Sequence, residues 1–410
     1  MYELLKDITV VEGASFIAGP SCALHLSQMG AKVIRCDTIG GGPDYRRWPL
    51  DAQGHSLYWE GLNKGKRSIA IDLSRPEGRE LAVALVTAPG EGRGLFVTNF
   101  PLESFLSHDR LAARRPDLIT VRILGWPSGR NGVDYTINAA VGVPFMTGPE
   151  DLPFDEPVNN SLPAWDLLAG AYGAFALLSA ERRRRATGQG GEWRLALSDL
   201  AIGSLAHLGQ VAEVSQGSSR GRFGNALYGA LGNAFRTSDG RRLMVVAITA
   251  RQWSGLVSAL GISAAVAELE RLLGVSFVRD EGVRFRYRQP LCDLIGGAIG
   301  GMSFTEVTAR MEQAGVCWEP YQTLHQAVET DPRLVRDNPL FAEVEHPGGG
   351  RYPTPGALAR LAVEPARMPA SAPRLGEHTD EILADDLGLS SAEIARLHDA
   401  GIVAGAGGGG

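Results

Sequence analysis

Through the first half of the chain, short apolar runs rich in β-branched residues alternate with stretches of helical spacing. Ile8–Glu12 (ITVVE) reads as a buried strand, Gly13–Pro20 as a loop, Ser21–Met29 as a helix and Lys32–Cys36 as a second strand. That is a β-α-β unit with a parallel pair, the opening of a doubly wound sheet. Ser68–Leu73, Gly94–Asn99, Leu118–Leu124 and Glu192–Leu197 supply further strands. Glu77–Thr87 and Ser198–Val214 supply helices. The fold class expected is therefore α/β. No G-x-G-x-x-G stands at the first turn, so nothing supports dinucleotide binding.

The most apolar helical stretch lies in Leu162–Gly191 (LPAWDLLAGAYGAFALLSAERRRRATGQGG). Pro163 suits its first turn, where a missing N–H costs nothing. Arg182–Arg185 complement the negative C-terminal end, and Gly188, Gly190 and Gly191 stop the pattern. Asp166 falls in the first turn of this mostly buried helix, where backbone N–H groups favour its ionised form. Position alone suits a capping carboxylate at least as well as a reactive one.

The pattern changes after Ser215–Gly224, a linker-like run of Ser, Gly and Arg. Leu231–Thr237, a turn at Asp239-Gly240 and Arg241–Ile248 form a hairpin signal. Helical spacing fills Gln252 to about Glu312, and Val316–Pro320 reads as a strand. Polar turns near Asp331–Asn338 follow, then a helix from His378 and another over Ser391–His398. The divisions expected are 1–220 for the first part of a large domain, 221–330 for a smaller one, and 331–410 for the return to the large domain. The glycine tail Gly405–Gly410 is expected to be disordered.

Composition narrows the function. The 410 residues have a net charge of -6, which speaks against a general nucleic-acid binder. No apolar run reaches the length of a membrane span, and the first residues lack the basic and apolar regions of a secretory leader. Cys22, Cys36, Cys292 and Cys317 make no metal spacing, so buried free thiols in a reducing cytosol are expected. The eight histidines are scattered, and no metal site is expected. Lys64, Lys66 and Arg67 crowd the start of one strand. They suit either a phosphorylated ligand or a solvated basic loop.

Several pieces together carry a resemblance. They are Ala18-Gly19-Pro20, Gly30-Ala31, Asn63–Asp72, Asn99-Phe100, Asp166 before an apolar helix, Thr187–Gly190 and Leu375–Thr379. In this order they resemble the class III CoA-transferase family, the group of formyl-CoA transferase and α-methylacyl-CoA racemase. The resemblance implies an interlocked homodimer whose Rossmann-like large domain is built from both chain ends, with a small inserted domain. It implies an acyl-CoA substrate, no further cofactor, and a cytoplasmic enzyme. It implies Asp166 as the nucleophile, since a carboxylate can hold the acyl group as an anhydride and CoA as a thioester. It implies a CoA path over Phe16, Ile17, Ala18, Lys66, Arg67, Ile71, Asn99 and Phe100, with the cations on phosphates. Ile17 replaces the glutamine of formyl-CoA transferase, which speaks against an oxalate-type acceptor.

A closer match within the family rests on Val11–Gly13, Ile39–Pro49 (IGGGPDYRRWP), Val133–Pro149 and Leu162–Asp166. It implies that CoA moves between the C1 and C4 carboxyl groups of mesaconate, from 2-methylfumaryl-CoA to 3-methylfumaryl-CoA. Arg46 or Arg47 is then expected to receive the free carboxylate. The alternatives are transfer to a separate acid and racemisation of a 2-methylacyl-CoA. The racemase histidine position falls on Val133, with no replacement in sight. Asn225–Asn233 reads either as a loop over the active site or as an inter-domain turn.

Overall fold

Six parallel strands carry the larger unit: β1 (Thr9–Gly13), β2 (Lys32–Thr38), β3 (Arg67–Ile71), β4 (Leu95–Thr98), β5 (Ile119–Leu124) and β6 (Gly191–Ala196). The computed structural model describes residues 2–218, 220–363 and 368–407. The end of the glycine tail, 408–410, lies outside the described residues, as does part of its expected disorder. The helices between the strands are α1 (Ala18–Gln28), α2 (Leu57–Asn63), α3 (Pro76–Val86), α4 (His108–Ala112), α5 (Asp134–Ala140) and α6 (Ala164–Thr187). After β6 come α7 (Leu197–His207) and α8 (Gln210–Ser215).

The sheet order β3-β2-β1-β4-β5-β6 reverses direction between β1 and β4. Every pair in this run is parallel, with Val10 beside Val33 on one side and Leu95 on the other. Alternate residues face opposite layers, as the strand period requires. Val10, Val33, Leu95 and Val97 pack with Cys22 and Leu26 of α1 and Ala174 and Leu177 of α6. Val11, Ile34, Ile71 and Phe96 pack with Val83 and Val86 of α3 and with Ile382 and Leu397 from the C-terminal end. Such two-sided burial explains why the strands read as continuous apolar runs.

The chain separates into two units. One comprises 1–141, 161–215 and 332–410, the other 142–160 and 216–331. The second unit holds the antiparallel strands β7 (Leu231–Arg236), β8 (Arg242–Ala247) and β9 (Cys317–Pro320) around Trp253, Phe277 and Ile295. Segment 142–160 belongs with it because the Arg222 guanidinium donates to the carbonyls of Thr147 and Pro153, each at 2.8 Å. No periodicity announces that tie, and the sequence reading left this segment with the first part of the chain. Near the C-terminus a hairpin, β10 (Phe341–Glu345) with β11 (Arg351–Pro355), precedes β12 (Val403–Ala404), which adds antiparallel to β3.

Three other expectations change. The helix expected over Ser198–Val214 breaks after Leu208, because Gly209 takes a positive φ of 79° and starts a new turn. Asp134–Ala140 forms a helix that its mixed polarity hid. All four cysteines are free, yet Cys317 is exposed because it lies on the open face of edge strand β9.

Candidate active site

The reversal of strand order opens a crevice at the C-terminal ends of β1 and β4, the usual ligand position in an open α/β sheet. A cavity of about 420 Å³ lies there, wholly within the larger unit. Ser15–Ala18 follow β1, Asn99–Leu102 follow β4, and Ile123–Gly125 end β5. Arg47, Tyr58, residues 129–135, Asp166 and Leu197 complete the wall.

Phe16 is the single non-glycine residue with positive φ, at 71°, among the described residues. Such backbone costs about 1–2 kcal/mol and needs support. Its N–H donates to Asp44 Oδ2 at 3.0 Å. Asp44 is held by Arg35, which also grips Asp37 through two N–H groups and donates to Glu12. All four side chains are buried. This network fixes the β1–α1 turn and with it Phe16, Ile17 and Ala18.

Asp166 sits on the first turn of α6. Helix α6 approaches α1 closely because Gly170 and Gly173 face Ser21 and Cys22. A Cβ on Gly170 would overlap the Ser21 hydroxyl and lie 2.9 Å from its Cβ. Asp166 therefore comes to the same cavity as Ile17 and Ala18 at the start of α1. Its own carboxylate is not the cap of α6. Asp134 Oδ2, from α5, accepts the N–H of Trp165 at 2.7 Å and of Asp166 at 3.0 Å. The capping role thus falls to Asp134, and the Asp166 carboxylate is left facing the cavity.

This arrangement reverses one expectation. The helix start was to keep Asp166 readily ionised, but burial and then the Asp134 charge push its pKa up to about 7. The orphan N–H groups that would have favoured the anion are already taken by Asp134. Burial likewise raises Asp134 above the usual carboxylate range, opposed by those two N–H bonds.

Arg47 lies over the faces of Phe16 and Tyr58, at 5.6 and 5.4 Å from their ring centres. The Tyr58 hydroxyl is out of solvent without a hydrogen-bond partner. Arg130 lies 5.4 Å from the centre of the Trp126 ring, exposed beside the cavity. Neither arginine has a carboxylate within 4 Å among the described residues.

Of the residues read from the sequence, Phe16, Ile17, Ala18, Arg47, Asn99, Phe100 and Asp166 share this cavity. Asn99 exchanges hydrogen bonds with the Ser15 backbone, donating to O at 2.9 Å and accepting from N at 3.2 Å. Arg46 points to a different cavity of the same unit, with Tyr45, His55 and Arg374. Three residues lie elsewhere. Lys66 is buried, and its ammonium donates to Glu12 at 2.7 Å, to the Pro20 carbonyl and to Asn63. Arg67 pairs with Asp386 at 3.1 Å and Glu381 at 3.0 Å. Ile71 is fully buried in the core against Val403. Neither of these two cations lines the cavity, and both are engaged with carboxylates of the chain, Lys66 with Glu12 and Arg67 with Asp386 and Glu381. Lys64 is buried as well, which removes the solvated-loop reading too.

The sequence reading missed Asp134, Tyr58 and Arg130. Tyr58 and Arg130 sit in unremarkable polar stretches. Asp134 lies in the quoted VDYTIN run, yet only the fold brings it to Asp166. Val133 lines the cavity, and no histidine does.

Comparison with known proteins places this geometry. The family model described as CoA-transferase family III matches residues 5–379. The chain is 49% identical to the 2-methylfumaryl-CoA isomerase of Chloroflexus aurantiacus, over 99% of each chain. It is 29% identical to the succinyl-CoA–D-citramalate CoA-transferase of the same organism, over 96% of each. Among solved structures, a CAIB/BAIF family protein from Brucella suis aligns with a TM-score of 0.73 and 27% identity, covering 93% of this chain and 98% of that one. Among the described residues no helix is long and apolar enough to cross a membrane.

Proposed function

The chain belongs to CoA-transferase family III, and on that premise we propose that it moves CoA within one substrate, from the C1 to the C4 carboxyl of mesaconate. The substrate is then 2-methylfumaryl-CoA and the product 3-methylfumaryl-CoA. The observation that carries this reading is the free Asp166 carboxylate in the switch-point cavity of a chain 49% identical, end to end, to a 2-methylfumaryl-CoA isomerase.

The chemistry follows from what a carboxylate can hold. Asp166 attacks the thioester carbonyl, the C–S bond breaks, and CoA leaves as a thiolate. A mixed anhydride remains. The thiolate attacks the Asp166 carbonyl carbon, releasing the acyl carboxylate and leaving an aspartyl-CoA thioester. The other carboxylate of the same diacid attacks that thioester, breaking its C–S bond and expelling the CoA thiolate again, and a new anhydride forms at C4. The thiolate then attacks the C4 carbonyl and frees Asp166. No proton is gained or lost overall. The aspartyl-CoA thioester resembles the substrate in energy, and passing through it divides one hard step into several easier ones. The N-terminal N–H groups of α1, beside Ile17 and Ala18, suit the oxyanion of each addition.

The same site suits a CoA thioester outside the acyl group. Phe16, Phe100 and Leu102 offer apolar surface to the pantetheine arm, and Arg130 offers a cation to a phosphate. Arg130 thereby takes the role first given to Lys66 and Arg67. Within the larger unit, α6 exposes Leu168, Tyr172 and Phe175 on one face, and α7, α8 and the turn between them expose Ile202, Val214 and Leu208. Apolar surface of that kind suits burial against a second copy, in keeping with an interlocked homodimer.

A second reading, transfer to a separate acid, draws on the likeness to the succinyl-CoA–D-citramalate CoA-transferase and uses the same Asp166. Incubating pure protein with 2-methylfumaryl-CoA alone tests the first. Accumulation of 3-methylfumaryl-CoA without added acid supports it, and an unchanged substrate that reacts only when an acid is supplied overturns it.

A further inference from the structure

We propose that Arg47 and the Tyr58 hydroxyl together hold the carboxylate that does not carry CoA, and so select dicarboxylic acyl groups. This deepens the reading above and rests on it. The DYRRWP stretch offers two arginines, and the fold separates them. Arg46 faces another cavity, whereas Arg47 shares the cavity of Asp166.

Arg47 is positioned yet uncommitted. Its guanidinium is held over two aromatic rings, an arrangement that fixes a cation without neutralising it. No described carboxylate lies within ion-pair distance, so its fork of N–H donors remains available for a bidentate carboxylate.

Tyr58 supplies the complementary donor. Its hydroxyl is buried and accepts or donates no well-formed hydrogen bond, and the Arg47 guanidinium lies beside its ring. A buried unsatisfied group is costly to the native state, a cost that a bound carboxylate would remove. Burial, aided by the charges of Asp44 and Asp166, raises this phenol to about 12 despite Arg47, so it stays protonated and can donate. Asp166 is thus close enough to act on the hydroxyl electrostatically. A diacid with a four-carbon main chain can then place one carbonyl at Asp166 and its other carboxylate at Arg47 and Tyr58. Around Arg47 the wall is apolar at Phe16, Ile17 and Phe100, and Asn99 is engaged with Ser15; Arg130, the other cation of the cavity, is held over Trp126.

Such a clamp recognises a carboxylate and not its position on the chain. It receives C4 when CoA is on C1, and C1 when CoA is on C4. Substitution at Arg47 should therefore weaken both esters together.

The test measures binding to Asp166→Ala protein, which leaves the thioester intact. The probes are 2-methylfumaryl-CoA and the uncharged 2-methylcrotonyl-CoA. Adding Arg47→Met should weaken the first about 30-fold or more, as loss of a charged hydrogen-bonded pair does, and change the second less than about threefold. Arg47→Lys should fall between, and Tyr58→Phe should cost the first probe about tenfold. Equal loss for both probes, or no loss for either, overturns the proposal; intact binding of the uncharged probe also reports that the variant is folded. Hydroxylamine capture at Asp166 in otherwise unsubstituted protein reads the nucleophile separately. Its absence would overturn the Asp166 reading while leaving the selectivity result to decide the clamp.

Discussion

The Oδ2 oxygen of Asp134 accepts the backbone N–H of Asp166 at 3.0 Å, so one carboxylate caps the helix that presents the other. Capping and charge are separable here. Asp134→Asn keeps an oxygen for the Trp165 and Asp166 N–H groups but removes the charge that helps raise Asp166. Since only the Asp166 carboxylate is nucleophilic, wild-type kcat/KM should fall as pH drops through about 7. In Asp134→Asn that acid limb should move to lower pH. A pH profile that does not move contradicts the coupling. Asp134→Ala should also lose the cap, costing roughly 0.5–2 kcal/mol of stability.

Asp166→Ala and Asp166→Asn should abolish turnover while leaving CoA-thioester affinity within about tenfold, because the nucleophile supplies chemistry and little ground-state binding. Retention of more than about a hundredth of the wild-type rate contradicts covalent catalysis at this residue. A stability effect accompanies the kinetic one. Asp166 has a raised pKa, so its contribution favours the native state at low pH and is lost as pH rises through about 7. Asp166→Asn should therefore be more stable than wild type at pH 8, by roughly 2–4 kcal/mol from the size of the shift. The gain should vanish near pH 4. Denaturant unfolding at the two pH values checks the sign.

The two groups of cations should separate cleanly. Arg130→Ala should raise KM for CoA thioesters several-fold and leave Tm in place, since that side chain is exposed over Trp126. Lys66→Ala should instead lower stability by about 3–5 kcal/mol, because it strips Glu12 of a buried partner. The reverse pattern would return the phosphate role to Lys66.

Gly170→Ala should damage the site from a distance. Its Cβ would collide with Ser21 and come within 3.1 Å of the Cys22 backbone N, so α6 must move away from α1. Overpacking of this kind costs about 1–3 kcal/mol, and the displaced Asp166 should lower kcat more than it changes KM. Wild-type kcat in a destabilised Gly170→Ala would show that this approach does not set the nucleophile.

What was legible in the sequence follows from range. The strands around Val10, Val33 and Val121 are buried on both faces, so their apolar runs announced themselves. Asp166 stood out because a helix with clear start and stop signals follows it. Phe16, Asn99 and Phe100 lie at strand ends, where a doubly wound sheet puts its ligands. Lys66 and Arg67 misled for the same local reason: three cations in four residues look like a phosphate cradle. Their partners, Glu12 and Asp386, are 54 and 319 residues away. Asp134, on the first turn of α5, caps a helix that starts 30 residues later, a meeting that no local pattern encodes.

Isotope tracing addresses intramolecular transfer most directly. 2-Methylfumaryl-CoA is converted in the presence of excess labelled free mesaconate, and the product is analysed by mass spectrometry. If the acyl group stays in the cavity between its two attacks on Asp166, the second attack is effectively unimolecular and outpaces exchange with solution. The 3-methylfumaryl-CoA formed should then carry no label, at a rate independent of added mesaconate. Label entering the product in proportion to free mesaconate would contradict intramolecular transfer and make the enzyme one that hands CoA to a separate acid.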